Sequence, residues 1–227
     1  MRSDVAALIP AYRAAATVAD VVAGARRHLM RVVVVDDGSG DETGARAAAA
    51  GAQVVLHETN AGKGAALATG LRALAAAGVG RALTLDADGQ HLPGEIPALL
   101  AASDADPAAI VVGVRKKEGH TIRTINRVGN WIADRVLHAI AGQPLPDTQS
   151  GFRIYPVMAT LALGVRGAHY DFETEVLLRA ARRGIPLVGV PVEVFYPPVA
   201  ERVSHFKPGR DTLRIIETVL RLIARPG

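Results

Sequence analysis

The sequence predicts an α/β fold, a mostly parallel sheet with helices on both faces, and three observations carry that reading. Short β-branched runs alternate with alanine-rich helical stretches, and four such strand–helix units follow one another in the first half. The runs are apolar enough to be buried on both sides. Polar residues gather just after each run, at the strand ends where such sheets bind ligands.

VAALI (5–9) reads as the first strand and residues 17–28 as a helix. RVVVV (31–35), AQVVL (52–56) and RALTL (81–85) are the next three strands, with helices around 41–50 and over 64–77 between them. Beyond about residue 105 the pattern loosens. AIVVGVR (109–115) is a further strand, 121–141 a helix, and DTQSGFRIY (147–155) a loop entering another segment. Residues 171–183 form a helix and LVGVPVEVFY (187–196) a strand. No Pro-, Gly- and Ser-rich linker and no internal repeat divides the chain, so one domain over 1–227 is expected, its second half bearing the far side of a cleft.

At 227 residues and 49% hydrophobic composition the chain can bury a sizeable core, and with aromatics at 4% it does so largely with alanine and valine. A net charge of +4 points to an anionic partner. Nucleic acid fits poorly, because the basic residues are scattered and few aromatics lie among them. The absence of cysteine excludes disulfides, Cys-ligated zinc and thiol catalysis. MRSDVAALIPAYRAA lacks the apolar stretch of a signal peptide, and no run approaches about 18 apolar residues, so a cytoplasmic protein, soluble or peripheral on the inner face of the membrane, is expected.

The strand ends carry the chemistry. In LTLDADGQH (83–91), Asp86 and Asp88 are two apart, so in an extended segment they point to one side. Two carboxylates that close repel unless something positive lies between them, and a divalent cation is the simplest answer. Oxygen ligands favour Mg²⁺ or Mn²⁺. Pro10 and Tyr12 follow the first strand, Asp36-Asp37-Gly38-Ser39 the second, and Lys63 the third. Taken singly each has a bland explanation. Strand-end aspartates cap turns, Asp36-Asp37-Gly-Ser is a good turn, Asp41 and Glu42 favour a helix start, and a lone lysine is usually a solvated charge. Their convergence on one rim carries the argument.

PAYRAAATV (10–18), VVVVDDGSGDET (32–43), NAGKGAAL (60–67) and LDADGQHLP (85–93) resemble the inverting family 2 glycosyltransferases with the Rossmann-like GT-A fold. DTQSGFRIY (147–155) and YDFETEVLLRA (170–180) narrow the resemblance to the polyprenyl-phosphate sugar transferases, typified by dolichyl-phosphate mannose synthase. It spans about residues 5 to 210. The resemblance implies a UDP- or GDP-sugar donor held by the first half, about 1–105. The second half, about 106–210, would take a polyprenyl phosphate or other lipid-linked acceptor. It implies that Asp37 contacts the nucleoside, with Pro10 and Tyr12 lining that pocket, and that Asp86, Asp88 and Gln90 hold the metal. Lys63 would be a further cation at the donor site. Arg115 and Arg127 would hold acceptor phosphate, and Arg202, His205 and Lys207 would sit on a segment closing over the diphosphate, hinged at Gly209. The processive signature Gln-x-x-Arg-Trp is absent and Trp131 is the sole tryptophan, so a single transfer is expected.

Two questions stay open in the sequence. A phosphate acceptor is already ionised, whereas a hydroxyl acceptor needs a base, for which Asp171, Glu173 and Glu175 are candidates. Glu173 and Glu175 equally suit a helix start, and Glu173 could instead orient the acceptor arginines. The segment 211–225 is amphipathic: Leu213, Ile216, Val219, Leu220 and Ile223 share a face opposite Arg214, Arg221 and Arg225. It suits either the bilayer interface or packing on the domain itself. The main rival function is a DxDG-type Mg²⁺-dependent phosphohydrolase, but that motif normally opens a chain, and Gln90 replaces its threonine. A phospho-accepting receiver domain and a sugar-1-phosphate nucleotidyltransferase fit less well still.

Overall fold

The computed structural model describes residues 2–116, 145–195 and 208–224. The helix expected over 121–141 and four of the predicted site residues, Arg127, Arg202, His205 and Lys207, lie outside them. The elements run β1 (Arg2–Ala11), α1 (Val18–Arg26), β2 (Leu29–Asp36), α2 (Thr43–Ala49), β3 (Gln53–Leu56), α3 (Lys63–Ala76) and β4 (Arg81–Thr84). There follow α4 (Ile96–Ala105), β5 (Ile110–Arg115), β6 (Arg153–Pro156), α5 (Val157–Ala162), α6 (Asp171–Arg182), β7 (Leu187–Val192) and α7 (Pro208–Ala224).

The strands form one sheet in the order β3-β2-β1-β4-β6-β5-β7. Both neighbours of β1 run parallel to it, and the chain reverses its direction of travel across the sheet there, since β2 lies on one side and β4 on the other. That crevice is where a ligand is expected. Period-2 alternation buries both faces. Ala6, Leu8, Val33 and Val35 pack with Leu67, Leu71, Val176 and Leu177 beneath α3 and α6. Val5, Ala7, Ile9, Val32 and Val34 pack with Val18, Val22 and Leu99 of α1 and α4.

Three features depart from the sequence reading. Residues 153–156 form a strand, β6, antiparallel to both β4 and β5 and inserted between them. Helices α4 and α5 were not expected. The last strand stops at Val192, and Pro191 is tolerated in it because β7 is the outer strand, where a missing N–H leaves no ladder partner unmet. The reversal of β6 matters most for the site. It places Arg153 opposite Thr84, so the loop 147–152 enters at the same rim as the carboxyl ends of the parallel strands.

Candidate active site

The rim is built from loops that hydrogen-bond to one another. The β1–α1 loop is tied to the next by Arg13 N–H to Ser39 Oγ (2.9 Å) and Ala14 N–H to Thr43 Oγ1 (2.8 Å), and to the β4 loop by Thr17 Oγ1 to Ala87 O (2.6 Å). Arg13 is held at φ 50°, the one left-handed non-glycine among the described residues. Pro10 is buried inside β1, opposite Val35, so it lies under the rim rather than lining a pocket; half-buried Tyr12 stands at the rim, with the Arg13 guanidinium 5.3 Å from its ring centre.

Asp37 is 2% exposed, and its carboxylate accepts the N–H groups of Ala61 (2.9 Å) and Gly62 (2.8 Å) and lies 2.7 Å from His57 Nδ1. It anchors the loop that delivers Lys63 at the first turn of α3. Gly62 has φ 102°, and a Cβ there would lie 2.2 Å from His169 Nδ1, so glycine is required at this point.

Lys63 is the centre of the site. Its Nζ lies 2.6 Å from Asp86 Oδ1, 2.9 Å from Glu173 Oε1 and 5.6 Å from the Tyr170 ring centre. Burial disfavours the ammonium, but Asp86 and Glu173 overcome it and raise its pKa. Burial likewise pushes Asp86 up, and Lys63, with His91 and Arg115, outweighs it and holds the carboxyl below its usual range. Glu173, 3% exposed, goes up: burial outweighs the pull of the shared lysine, and Asp86 adds repulsion. Asp88 is pushed up to about 6, by burial first and by Asp86 second. One ammonium thus serves two carboxylates while a third, beside them, is left under-neutralised.

The last turn of this acidic loop is rigid. Asp88 Oδ1 accepts Gln90 N–H at 3.0 Å, and Gln90 O accepts Phe195 N–H at 2.9 Å. His91 Nδ1 accepts Asp86 N–H at 3.1 Å, and its ring stacks on Phe152 at 5.0 Å. Burial holds that imidazole neutral, its pKa lowered to about 4. On the other side Gly151 presses its backbone on the ion pair: a Cβ there would lie 2.8 Å from both Asp86 oxygens and from Lys63 Nζ.

The acceptor-side candidates resolve differently from expectation. Arg115, at the end of β5, is held by Asp147, not Glu173, through Nε–Oδ2 (2.6 Å) and Nη2–Oδ1 (2.9 Å). Burial works against the Asp147 carboxylate, yet Arg115 holds it below its ordinary range. Asp171 and Glu175 are structural. Asp171 accepts His169 N–H (3.0 Å) and the Thr218 hydroxyl (3.0 Å), and Glu175 accepts Gly167 N–H (2.8 Å) and Arg179 Nε (2.6 Å). Only Glu173 reaches the site, and it is the counter-ion of Lys63.

Do these residues suit a divalent cation? Among the described residues no three acidic or histidine side chains form a cluster able to hold a metal alone. Asp86 and the under-neutralised Asp88 would offer oxygen ligands of the kind that Mg²⁺ or Mn²⁺ takes, with water and substrate phosphate completing the shell. The residues fit an ion shared with a substrate rather than a resident one.

Residues 6–164 match the model of the glycosyl transferase family 2 domain. The chain belongs to that family. It is therefore a glycosyltransferase. It is 32% identical over 172 residues to an undecaprenyl-phosphate mannosyltransferase of Micrococcus luteus, covering 71% of this chain and 70% of that one. It is 28% identical over 212 residues to a UDP-N-acetylglucosamine–dolichyl-phosphate N-acetylglucosaminyltransferase of Methanococcus voltae, covering 83% and 84%. Among solved structures, glucosyl-3-phosphoglycerate synthase of Mycobacterium tuberculosis, in complex with Mn²⁺, UDP and glucosyl-3-phosphoglycerate, superposes with a TM-score of 0.73. The match has 22% identity and covers 96% of this chain and 78% of that one, which establishes the GT-A fold. The resemblance drawn from the sequence motifs holds. Sequence reasoning on this glycosyltransferase missed Asp147, His91 and Gly151 as site residues. The signal was present, since all three lie in motifs already singled out, LDADGQH and DTQSGF.

Proposed function

We propose that this family 2 glycosyltransferase moves a single sugar, with inversion, from a nucleotide-diphosphate sugar to a polyprenyl phosphate, with Mg²⁺ or Mn²⁺ held by Asp86 and Asp88. The observation that carries the acceptor class is the fate of the carboxylates. Of the three candidate bases, Asp171 and Glu175 are tied into structure and Glu173 is held by Lys63, which suits an acceptor that needs no deprotonation. Phosphate is such an acceptor. The two relatives named for polyprenyl-phosphate transfer support the same class.

In this reading Lys63 faces the donor diphosphate, anchored from behind by Glu173. Asp37 acts through the loop it holds, and the rim around Tyr12 receives the nucleoside. Gln90 fixes Asp88 through its backbone N–H. A bound divalent ion would supply Lewis-acid stabilisation of the departing diphosphate. Arg115, and Arg127 outside the described residues, would bind the acceptor phosphate behind the anomeric carbon, with Arg202, His205 and Lys207 closing over the donor.

A lipid acceptor requires approach to a membrane, and α7 supports a peripheral contact on the inner face. No helix among the described residues is long and apolar enough to cross a bilayer. Helix α7 has two adjoining apolar stripes: Val219 and Leu222 pack into the core, while Leu213, Ile216 and Leu220 are 61%, 48% and 58% exposed. One stripe thus packs on the domain itself, and the exposed apolar ridge is the surface that supports the membrane reading.

The test is transfer from UDP- and GDP-sugars to farnesyl phosphate with and without Mn²⁺, reading product and anomeric configuration. Metal-dependent product of inverted configuration, lost in a folded Asp88→Asn variant, is expected; activity of that variant near wild type sinks the metal assignment. For the membrane contact, the triple change of Leu213, Ile216 and Leu220 to serine should abolish co-sedimentation with anionic vesicles and leave the melting temperature unchanged.

A further inference from the structure

The loop 147–151 is fixed independently of the arginine it touches. Thr84 Oγ1 donates to Gly151 O at 2.7 Å. The fully buried Arg153 guanidinium donates to Thr148 O (2.9 Å), Ser150 O (2.7 Å) and Glu173 O (2.7 Å). Asp147 closes the same turn, its side chain accepting Gln149 N–H (3.2 Å) and its carbonyl accepting Ser150 N–H (3.3 Å). The Asp147 carboxylate is therefore set by backbone that is pinned elsewhere. Arg115, by contrast, ends a long, rotatable side chain that is about one-third exposed, 34%. A bidentate carboxylate fixes the plane of a guanidinium and hence the direction of all its N–H groups.

We propose that Asp147 is a positioning residue for the transfer reaction, holding the Arg115 guanidinium in the orientation that receives the acceptor phosphate. This rests on the reading of Arg115 as an acceptor contact. The same loop presses Gly151 on the Asp86–Lys63 pair, so one rigid segment sets the acceptor arginine relative to the donor site. Asp147 touches neither substrate and acts only through Arg115.

Steady-state kinetics of Asp147→Asn, Arg115→Ala and the double variant, with farnesyl phosphate as acceptor, tests it. Asp147→Asn is expected to raise the acceptor KM by tenfold to about a hundredfold, the loss typical of a misplaced binding group. Donor affinity should stay at its wild-type value and far-UV dichroism should keep its wild-type shape, while the melting temperature falls modestly with the loss of the ion pair. The double variant should match Arg115→Ala, because Asp147 has nothing left to position. An acceptor KM within about twofold of wild type, or a loss that adds fully to that of Arg115→Ala, overturns the proposal. If the wild type transfers to no prenyl phosphate, the acceptor reading fails separately. The clamp is then read from the Arg115 Nε–H resonance: a signal that disappears or shifts in Asp147→Asn upholds it, and an unchanged one refutes it.

Discussion

Replacing Lys63 with methionine removes the ammonium that Asp86 and Glu173 share. Its contacts are 2.6 and 2.9 Å, and at an effective dielectric of about 20 each represents roughly 6 kcal/mol of gross attraction. Desolvation of the buried charges offsets much of this, so the net cost of breaking the cluster is about 3–5 kcal/mol. Asp86 retains some solvent, its side chain 28% exposed, whereas that of Glu173 is 4% exposed and bears most of the penalty. Burial already raises the Glu173 pKa, and losing Lys63 raises it further. A carboxyl whose folded pKa lies above its unfolded value is harmless below about pH 4, where both states are protonated, and costs stability as pH rises through the folded value. The loss should therefore be small at pH 5 and large at pH 8. Urea unfolding followed by far-UV circular dichroism measures it, and adding Glu173→Gln to the variant should recover a substantial part at pH 8. A Lys63→Met protein within about 1 kcal/mol of wild type at pH 8 would refute the claim that Lys63 balances these carboxylates.

Three further outcomes follow from the same geometry. Gly151→Ala places a methyl 2.8 Å from the Asp86 oxygens and Lys63 Nζ, so turnover should collapse while far-UV dichroism keeps its wild-type shape; normal kcat would mean that the pair can shift freely. Asp88, raised to about 6, stabilises the metal-free fold only while protonated, so melting temperature should fall between pH 5 and 7, and Mn²⁺-dependent UDP or GDP binding should strengthen over the same interval. In Asp88→Asn both trends should vanish, and their persistence would assign them to another group. Arg13→Gly relieves a left-handed backbone at φ 50° and should raise unfolding stability by about 0.5–1 kcal/mol, after the entropic cost of glycine is subtracted; a lower urea midpoint would show that the guanidinium over Tyr12 contributes more than the strain costs.

Much of the fold was legible because it is locally encoded. β1 to β4 and the helices between them follow from apolar runs of the right length and from polar strand ends, and the structure moves their limits by only a few residues. β6 was not legible. Its four residues, Arg153 to Pro156, include a fully buried arginine that no periodicity marks as interior, satisfied by the Thr148 and Ser150 carbonyls of the loop before it, by Tyr155 of the same strand and by Glu173 O, which α6 brings from elsewhere. Helix α7 was legible as amphipathic, yet which stripe faces inward depended on the surface of α6, where Arg182 meets Leu222 O and Asp171 meets Thr218.

For the site, the sequence by itself determined which residues stand at the rim. Asp37, Lys63, Asp86 and Asp88 all follow parallel strands of one sheet, β2, β3 and β4, and parallel strands put their carboxyl ends on one side. It could not determine how their charges pair. Lys63 and Asp86 are 23 positions apart and Lys63 and Glu173 are 110 apart, and each pair meets because separate elements pack together, the start of α3 beside the β4 loop and α3 against α6. That packing turned Asp37 into a loop anchor and gave Arg115 to Asp147. It also left Asp88 as the under-neutralised carboxylate. The chemistry of each group is written in its residue type; the choice of partner is a contact between distant segments, and only the tertiary structure makes it.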